Sequence, residues 1–122
     1  MPEGYLNTST DEILPLFDIR KLVEEIHQIA LEKGWWDNSR TFGDIIALVH
    51  SEASEALEEY RDGHSPDEVY YTPGGKPNGI GIELADVVIR IMDYCGHAGI
   101  DLQSMIEIKH EYNKARHDKK VI

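Results

Sequence analysis

An all-α chain, a bundle of about four helices that assembles with copies of itself, is predicted by three observations. Apolar residues recur at helical spacing over four stretches, each bounded by a capping residue or a glycine. The longest segment between them is too rich in Gly and Pro for a helix and lacks the alternation of a strand. One of the four helices also carries apolar residues on two faces, more than a small bundle covers by itself. The 122 residues fit one domain, a size that can be stable without disulfides, and the single Cys95 can form none internally.

Residues 1–17 mix turn formers with a short apolar end, and Pro15 interrupts any continuous helix, so they are read as an N-terminal arm preceding a domain over 18–122. Asp18 is placed as the N-cap of a first helix marked by Ile19, Leu22, Val23, Ile26, Ile29 and Ala30, which stops at Gly34. Thr41 and Asp44 stand at capping-box spacing and open the second helix, which should end near Asp62-Gly63. Ile45, Val49, Ala53, Ala56 and Tyr60 form its core-facing stripe, Glu52 and Glu59 border it, and Glu58 faces water.

Residues 63–79 hold four glycines and three prolines and read as a loop, either a lid over a site or a plain connector. Ile80–Ala98 reads as the third helix. One of its stripes is Ile80, Leu84, Val87, Ile91 and Tyr94; the other is Ala85, Ile89 and Met92; a polar arc of Glu83, Asp86, Arg90, Asp93 and His97 runs between them. The Ala85/Ile89/Met92 stripe is assigned to a contact with another subunit. After a break at Gly96–Gly99, Asp101 caps a fourth helix with Leu102, Met105 and Ile106 facing inward. Lys109, Asn113 and Arg116 continue that face. The tail His117–Ile122 is expected to fray.

The formal charge of −11, with no basic stripe, argues against nucleic acid as a partner. No run is long and apolar enough for a membrane span and none resembles a secretory leader, so the expectation is a soluble cytoplasmic protein. Excess acid suits a bound cation. Glu52 and Glu55 repeat the i, i+3 spacing of Glu83 and Asp86, and each pair taken alone is commonly a solvated helix face. Together, on facing helices beside apolar stripes, four carboxylates would repel unless a cation relieved them. Oxygen donors without a cysteine cluster select a hard ion, Mg²⁺ or Mn²⁺. Lys109, Asn113 and Arg116 are either ligand-binding or ordinary snorkelling residues at a helix end. Trp35 and Trp36 are more usual as packing residues, and His27 as a structural or exposed one.

The arrangement Glu52-x-x-Glu55, a spacer, then Glu83-x-x-Asp86 resembles the signature of the all-α nucleoside triphosphate pyrophosphohydrolases, the MazG-like family, which includes dimeric dUTPases and dCTP pyrophosphatases. The resemblance spans about Ile19 to Lys119 and takes in GWWD after the first helix, ELADVVIR around the second acidic pair and the late KHEYNKAR. It implies a bundle that assembles as a homodimer or homotetramer. It also implies a Mg²⁺-dependent hydrolase of nucleotide metabolism, cleaving a nucleoside triphosphate to its monophosphate and pyrophosphate. Carried over by position, Glu52, Glu55, Glu83 and Asp86 would bind metal, and Glu52 or Glu55 would be the base for the attacking water. Lys109, Asn113 and Arg116 would hold phosphates or sugar, and Trp36 and His27 would contact the base. The chemistry agrees, because metal and nearby cations stabilise a triphosphate and water needs a carboxylate to take its proton.

Two rival readings stand beside this. A catalytically inactive bundle could serve as an interaction module. A di-iron carboxylate protein would use Glu24-x-x-His27 and Glu107-x-x-His110, but helical phase turns Glu24 and Glu107 away from the inward stripes.

Overall fold

Four local stop-and-start signals set the helices of the computed structural model, which describes residues 18–116. The arm expected over 1–17 and the frayed tail expected over 117–122 lie outside the described residues. Helix α1 spans Ile19–Glu32, and the Asp18 side chain accepts from the Lys21 N–H at 3.3 Å. Helix α2 spans Phe42–Arg61 behind a complete capping box, in which Thr41 and Asp44 each accept the other's backbone N–H at 3.0 Å. Those bonds hold the Asp44 carboxyl below its ordinary pKa. Helix α3 spans Ile80–Ala98 and runs straight through Gly96, where a break was expected, ending at Gly99 in the left-handed region. Helix α4 spans Leu102–Ala115, capped by Asp101 on the Ser104 N–H.

Residues 63–79 are not a structureless loop. Tyr70–Thr72 (β1) and Lys76–Asn78 (β2) pair antiparallel in the register Tyr70↔Asn78, Tyr71↔Pro77, Thr72↔Lys76. The turn between them needs positive φ, and Gly74 and Gly75 supply it at 95° and 84°. Strands of three residues are too short to show alternation, so the sequence pattern hides them. The hairpin is tied back to α2: the Tyr70 hydroxyl donates to both Glu59 oxygens at 2.8 and 3.0 Å, and the His64 ring stacks on Tyr70.

Helix α3 lies between α1 and α2 and packs against both, while α4 packs beside α1. The helices therefore form a layer with α3 at its centre. The main core cluster is Val23, Met92 and Cys95, with Ile19, Leu22, Ile26 and Leu102 around it. Burial of such side chains contributes ~2 kcal/mol each. Gly96 permits the α1–α3 crossing, because a Cβ there would stand 2.6 Å from that of His27. Arg20 fastens α4 to α1, its Nε donating to Asp101 at 3.1 Å and its Nη2 to Ser104 at 3.1 Å.

This layer divides the stripe assigned to a subunit contact: Ala85 is exposed and Ile89 is 44% exposed, as that assignment requires, but Met92 is not. Met92, assigned to a subunit contact, is buried against Val23 on α1 within one chain. The other stripe is divided as well: Ile80, Val87 and Tyr94 are half-buried, Leu84 and Ile91 are 52% and 37% exposed, and Val88 between them is 47% exposed. The inward arc is instead the polar one, where Glu83 and Asp93 are buried and Asp86 and Arg90 half-buried. Helical phase identifies faces but not which neighbours flank them. Among the described residues, no helix is long and apolar enough to cross a membrane.

Candidate metal centre

The i, i+3 spacing on α2 sets Glu52 and Glu55 on one edge of that helix, and α3 brings Glu83 against them. One carboxylate oxygen from each of the three lies within 4.8 Å of the others. Among the described residues no other group of three or more His, Cys, Asp or Glu side chains converges this closely. Asp86, one turn along α3, is outside that trio but borders the same space, and it is the acid whose charge acts most strongly on Glu83. Glu59 adds to the same negative field.

Glu83 is the unusual member. It is 5% exposed, and its carboxylate has no hydrogen bond or ion pair among the described residues. Burial first, then the charges of Asp86, Glu55, Glu52 and Glu59, push its pKa up. A buried carboxylate facing other carboxylates is costly without a positive partner. The donor set is oxygen only, which fits a hard divalent cation: Glu52, Glu55 and Glu83 would ligate it, with Asp86 at its margin.

Beside the acids opens a cleft of about 380 Å³, bordered by Trp35, Lys33, Glu52, Asp86, Arg90 and Asp93. It sets these acids, two cations and an aromatic ring beside an apolar wall of Ile26, Ile29, Ala30 and Ile89, a composition that could receive an anion with an apolar part. A larger groove of about 760 Å³ runs along α1 past Val23, His27, Ile29 and Gly96, but none of the four acids lines it. The cleft near the acids is therefore the better candidate.

His27 and Trp36 are brought together, though by a residue that sequence reasoning left without a role. Asp93, 7% exposed, accepts from His27 Nδ1–H at 2.8 Å and from Trp36 Nε1–H at 3.0 and 3.2 Å. Trp36 also stacks on His97, ring centroids 3.8 Å apart and planes within 3°. Trp36 Nε1–H and His27 Nδ1–H are thus committed inside the fold. Lys109, Asn113 and Arg116 gather around a different centre. The Lys109 ammonium lies 4.8 Å and the Arg116 guanidinium 5.6 Å from the Tyr112 ring centroid, and Arg116 donates to Asn113 at 3.5 Å.

Within one chain, that group sits on α4 beside α1, whereas the acids sit on α2 and α3. The expected convergence of α4's cations with the acids is therefore not made inside a single chain. The physical reason is that α4 is held through its first turn, by Arg20 and Leu102, and Met105 and Ile106 stay exposed. Arg90, Lys33, Trp35 and Asp93 are the site residues that sequence reasoning missed. Arg90 and Asp93 were visible in the polar arc of α3; their burial was not. Glu24 and Glu107 are both exposed, and His27 is occupied by Asp93, so the described residues assemble no di-iron ligand set.

Fold and site together define a small helical protein with an acidic centre opening on a mixed-charge cleft. Compared with family models, curated proteins and solved structures, the chain matches none.

Proposed function

We propose that the protein is a MazG-like nucleoside triphosphate pyrophosphohydrolase that uses Mg²⁺, with Mn²⁺ able to replace it, and works in the nucleotide metabolism of the cytoplasm. The observation that carries this reading is Glu83, a buried carboxylate with no hydrogen-bond or ion-pair partner among the described residues, held against Glu52 and Glu55. A bound divalent cation would supply charge neutralisation at the phosphate oxygens. Glu55 is exposed and free of hydrogen bonds among the described residues, so it is the better placed of the first pair to take the proton of the attacking water. Water adds to the α-phosphorus, the bond to the α–β bridging oxygen breaks, and pyrophosphate leaves. Lys33 and Arg90 border the cleft where the anion would lie.

Self-assembly belongs to the same proposal. Leu84, Val88 and Ile91 on α3 are exposed together with Ala85 and Ile89, and form an apolar face suited to a second copy, from which Met92 drops out because it is buried. The same exposed face also favours a second reading, that of an inactive interaction module.

A panel of canonical and modified nucleoside triphosphates, incubated with Mg²⁺ and scored for products, tests the proposal. Monophosphate and pyrophosphate are expected from at least one substrate, with activity abolished by excess chelator. Diphosphate and phosphate as products, or activity indifferent to chelator, would overturn it. Tight Mg²⁺ binding without hydrolysis of any nucleotide would leave the interaction module standing.

A further inference from the structure

Arg90 makes two contacts that look unrelated until the metal is considered. Its Nε donates to Glu52 Oε2 at 2.6 Å, with both side chains largely shielded from solvent. Its Cζ also lies 4.7 Å from the centroid of the Trp35 ring, where the Arg40 guanidinium sits as well, at 3.8 Å. Among the described residues it is the one cation paired with a candidate metal ligand. Its two Nη groups make no hydrogen bond among those residues, and it borders the cleft beside Glu52 and Asp86.

We propose that Arg90 is an exchangeable counterion: it neutralises Glu52 in the metal-free protein, is released when the divalent cation arrives, and then holds the anionic phosphates of the substrate in the cleft. The inference rests on the metal-dependent reading above and deepens it. Its first half follows from electrostatics. A guanidinium and a divalent cation on one shielded carboxylate repel each other strongly, and the ion with the higher charge gains more from the three converging acids. Its second half follows from shape. A planar guanidinium with both Nη groups unengaged matches a phosphate by paired hydrogen bonds, and the shielded cleft strengthens them. Arg90 is thus a binding residue whose partner changes with metal occupancy.

The competing role has the opposite sign. If Arg90 stayed on Glu52 to orient it for the metal, removing Arg90 would weaken metal binding. Calorimetric titration of the full chain with Mg²⁺ alone separates the two, using Arg90→Ala and also Arg90→Gln, which keeps a donor for Glu52 and some cover on Trp35. Exchange predicts Mg²⁺ binding about fivefold or more tighter in both variants, because a repelling charge is gone. At saturating Mg²⁺, a non-hydrolysable nucleoside triphosphate analogue should bind about tenfold or more weaker.

In the parent, Mg²⁺ should also shift the tryptophan emission as the guanidinium leaves Trp35, and the shift should vanish in Arg90→Gln and in Trp35→Phe. Unchanged or weaker Mg²⁺ binding in a folded Arg90→Gln, or unchanged analogue binding, overturns the exchange while a metal-dependent parent keeps the functional reading intact. A parent that binds no Mg²⁺ overturns both.

Discussion

Glu83 and Asp93 lie on the same helix at nearly the same exposure, 5% and 7%, yet they sit in opposite surroundings. Asp93 accepts from His27 and from Trp36, so its charge is met by two donors brought from α1 and the turn after it. Among the described residues Glu83 meets Glu52, Glu55 and Asp86 and no donor side chain. The difference teaches that burial of a carboxylate has two uses in this fold. The donors around Asp93 tie α3 to α1; Glu83 is the carboxylate that the proposed cation would neutralise.

The sharpest way to break the comparison is to neutralise Glu83. Glu83→Gln should lower turnover about a hundredfold or more, roughly 3 kcal/mol in the barrier, and weaken Mg²⁺ binding. Its metal-free melting temperature at neutral pH should stay level or rise, since a repelling charge has gone. Steady-state kinetics and calorimetry check this, and near-parental turnover with Mg²⁺ would remove Glu83 from the centre. The same loss of turnover is expected for Glu52→Gln, Glu55→Gln and Asp86→Asn.

Asp93→Ala should do the reverse. Leaving the His27 and Trp36 donors without an acceptor costs about 2 kcal/mol of folding stability, measured by urea unfolding, with Mg²⁺ affinity within about twofold of the parent. Asp93→Asn should cost less, because the amide oxygen still accepts. If Asp93→Ala instead abolished Mg²⁺ binding at undiminished stability, the two carboxylates would share one role.

The smallest effect is the pH dependence of the metal-free protein. Because the Glu83 pKa is raised in the fold above its ordinary value of 4.5, the folded state holds that proton more tightly than the unfolded state. Its favourable contribution is therefore fully present below that ordinary value and is lost as pH rises through the elevated folded value. Metal-free stability should decline over that window. Glu83→Gln should flatten the decline, and saturating Mg²⁺ should reverse it, because the ion binds the ionised form. A parent and Glu83→Gln with parallel stability profiles in chelator would contradict the assignment.

Much of the fold was legible because its signals are local. Asp18, the Thr41/Asp44 box and Asp101 act within three residues of themselves, and each caps the helix expected of it. The hairpin was hidden because three-residue strands carry no period, and its anchor, Tyr70 on Glu59, is a contact between segments. Within the site, the convergence of Glu52, Glu55 and Glu83 was legible from repeated spacing on two helices. The pairing of Arg90 with Glu52, 38 residues away, and of Asp93 with His27, 66 away, was not.

The sequence by itself determined where helices start and stop, and which residues share a helical face, since capping and a period of about 3.6 residues act along the chain. Only the tertiary structure decided which face is inward. It seated α3 between α1 and α2, so that its polar arc turned in and Leu84, Val88 and Ile91 turned out. It also decided that Asp93 would find donors and Glu83 would not. Charge and hydrogen bonding depend on distance through space, and the separation of residues along a chain does not encode that distance.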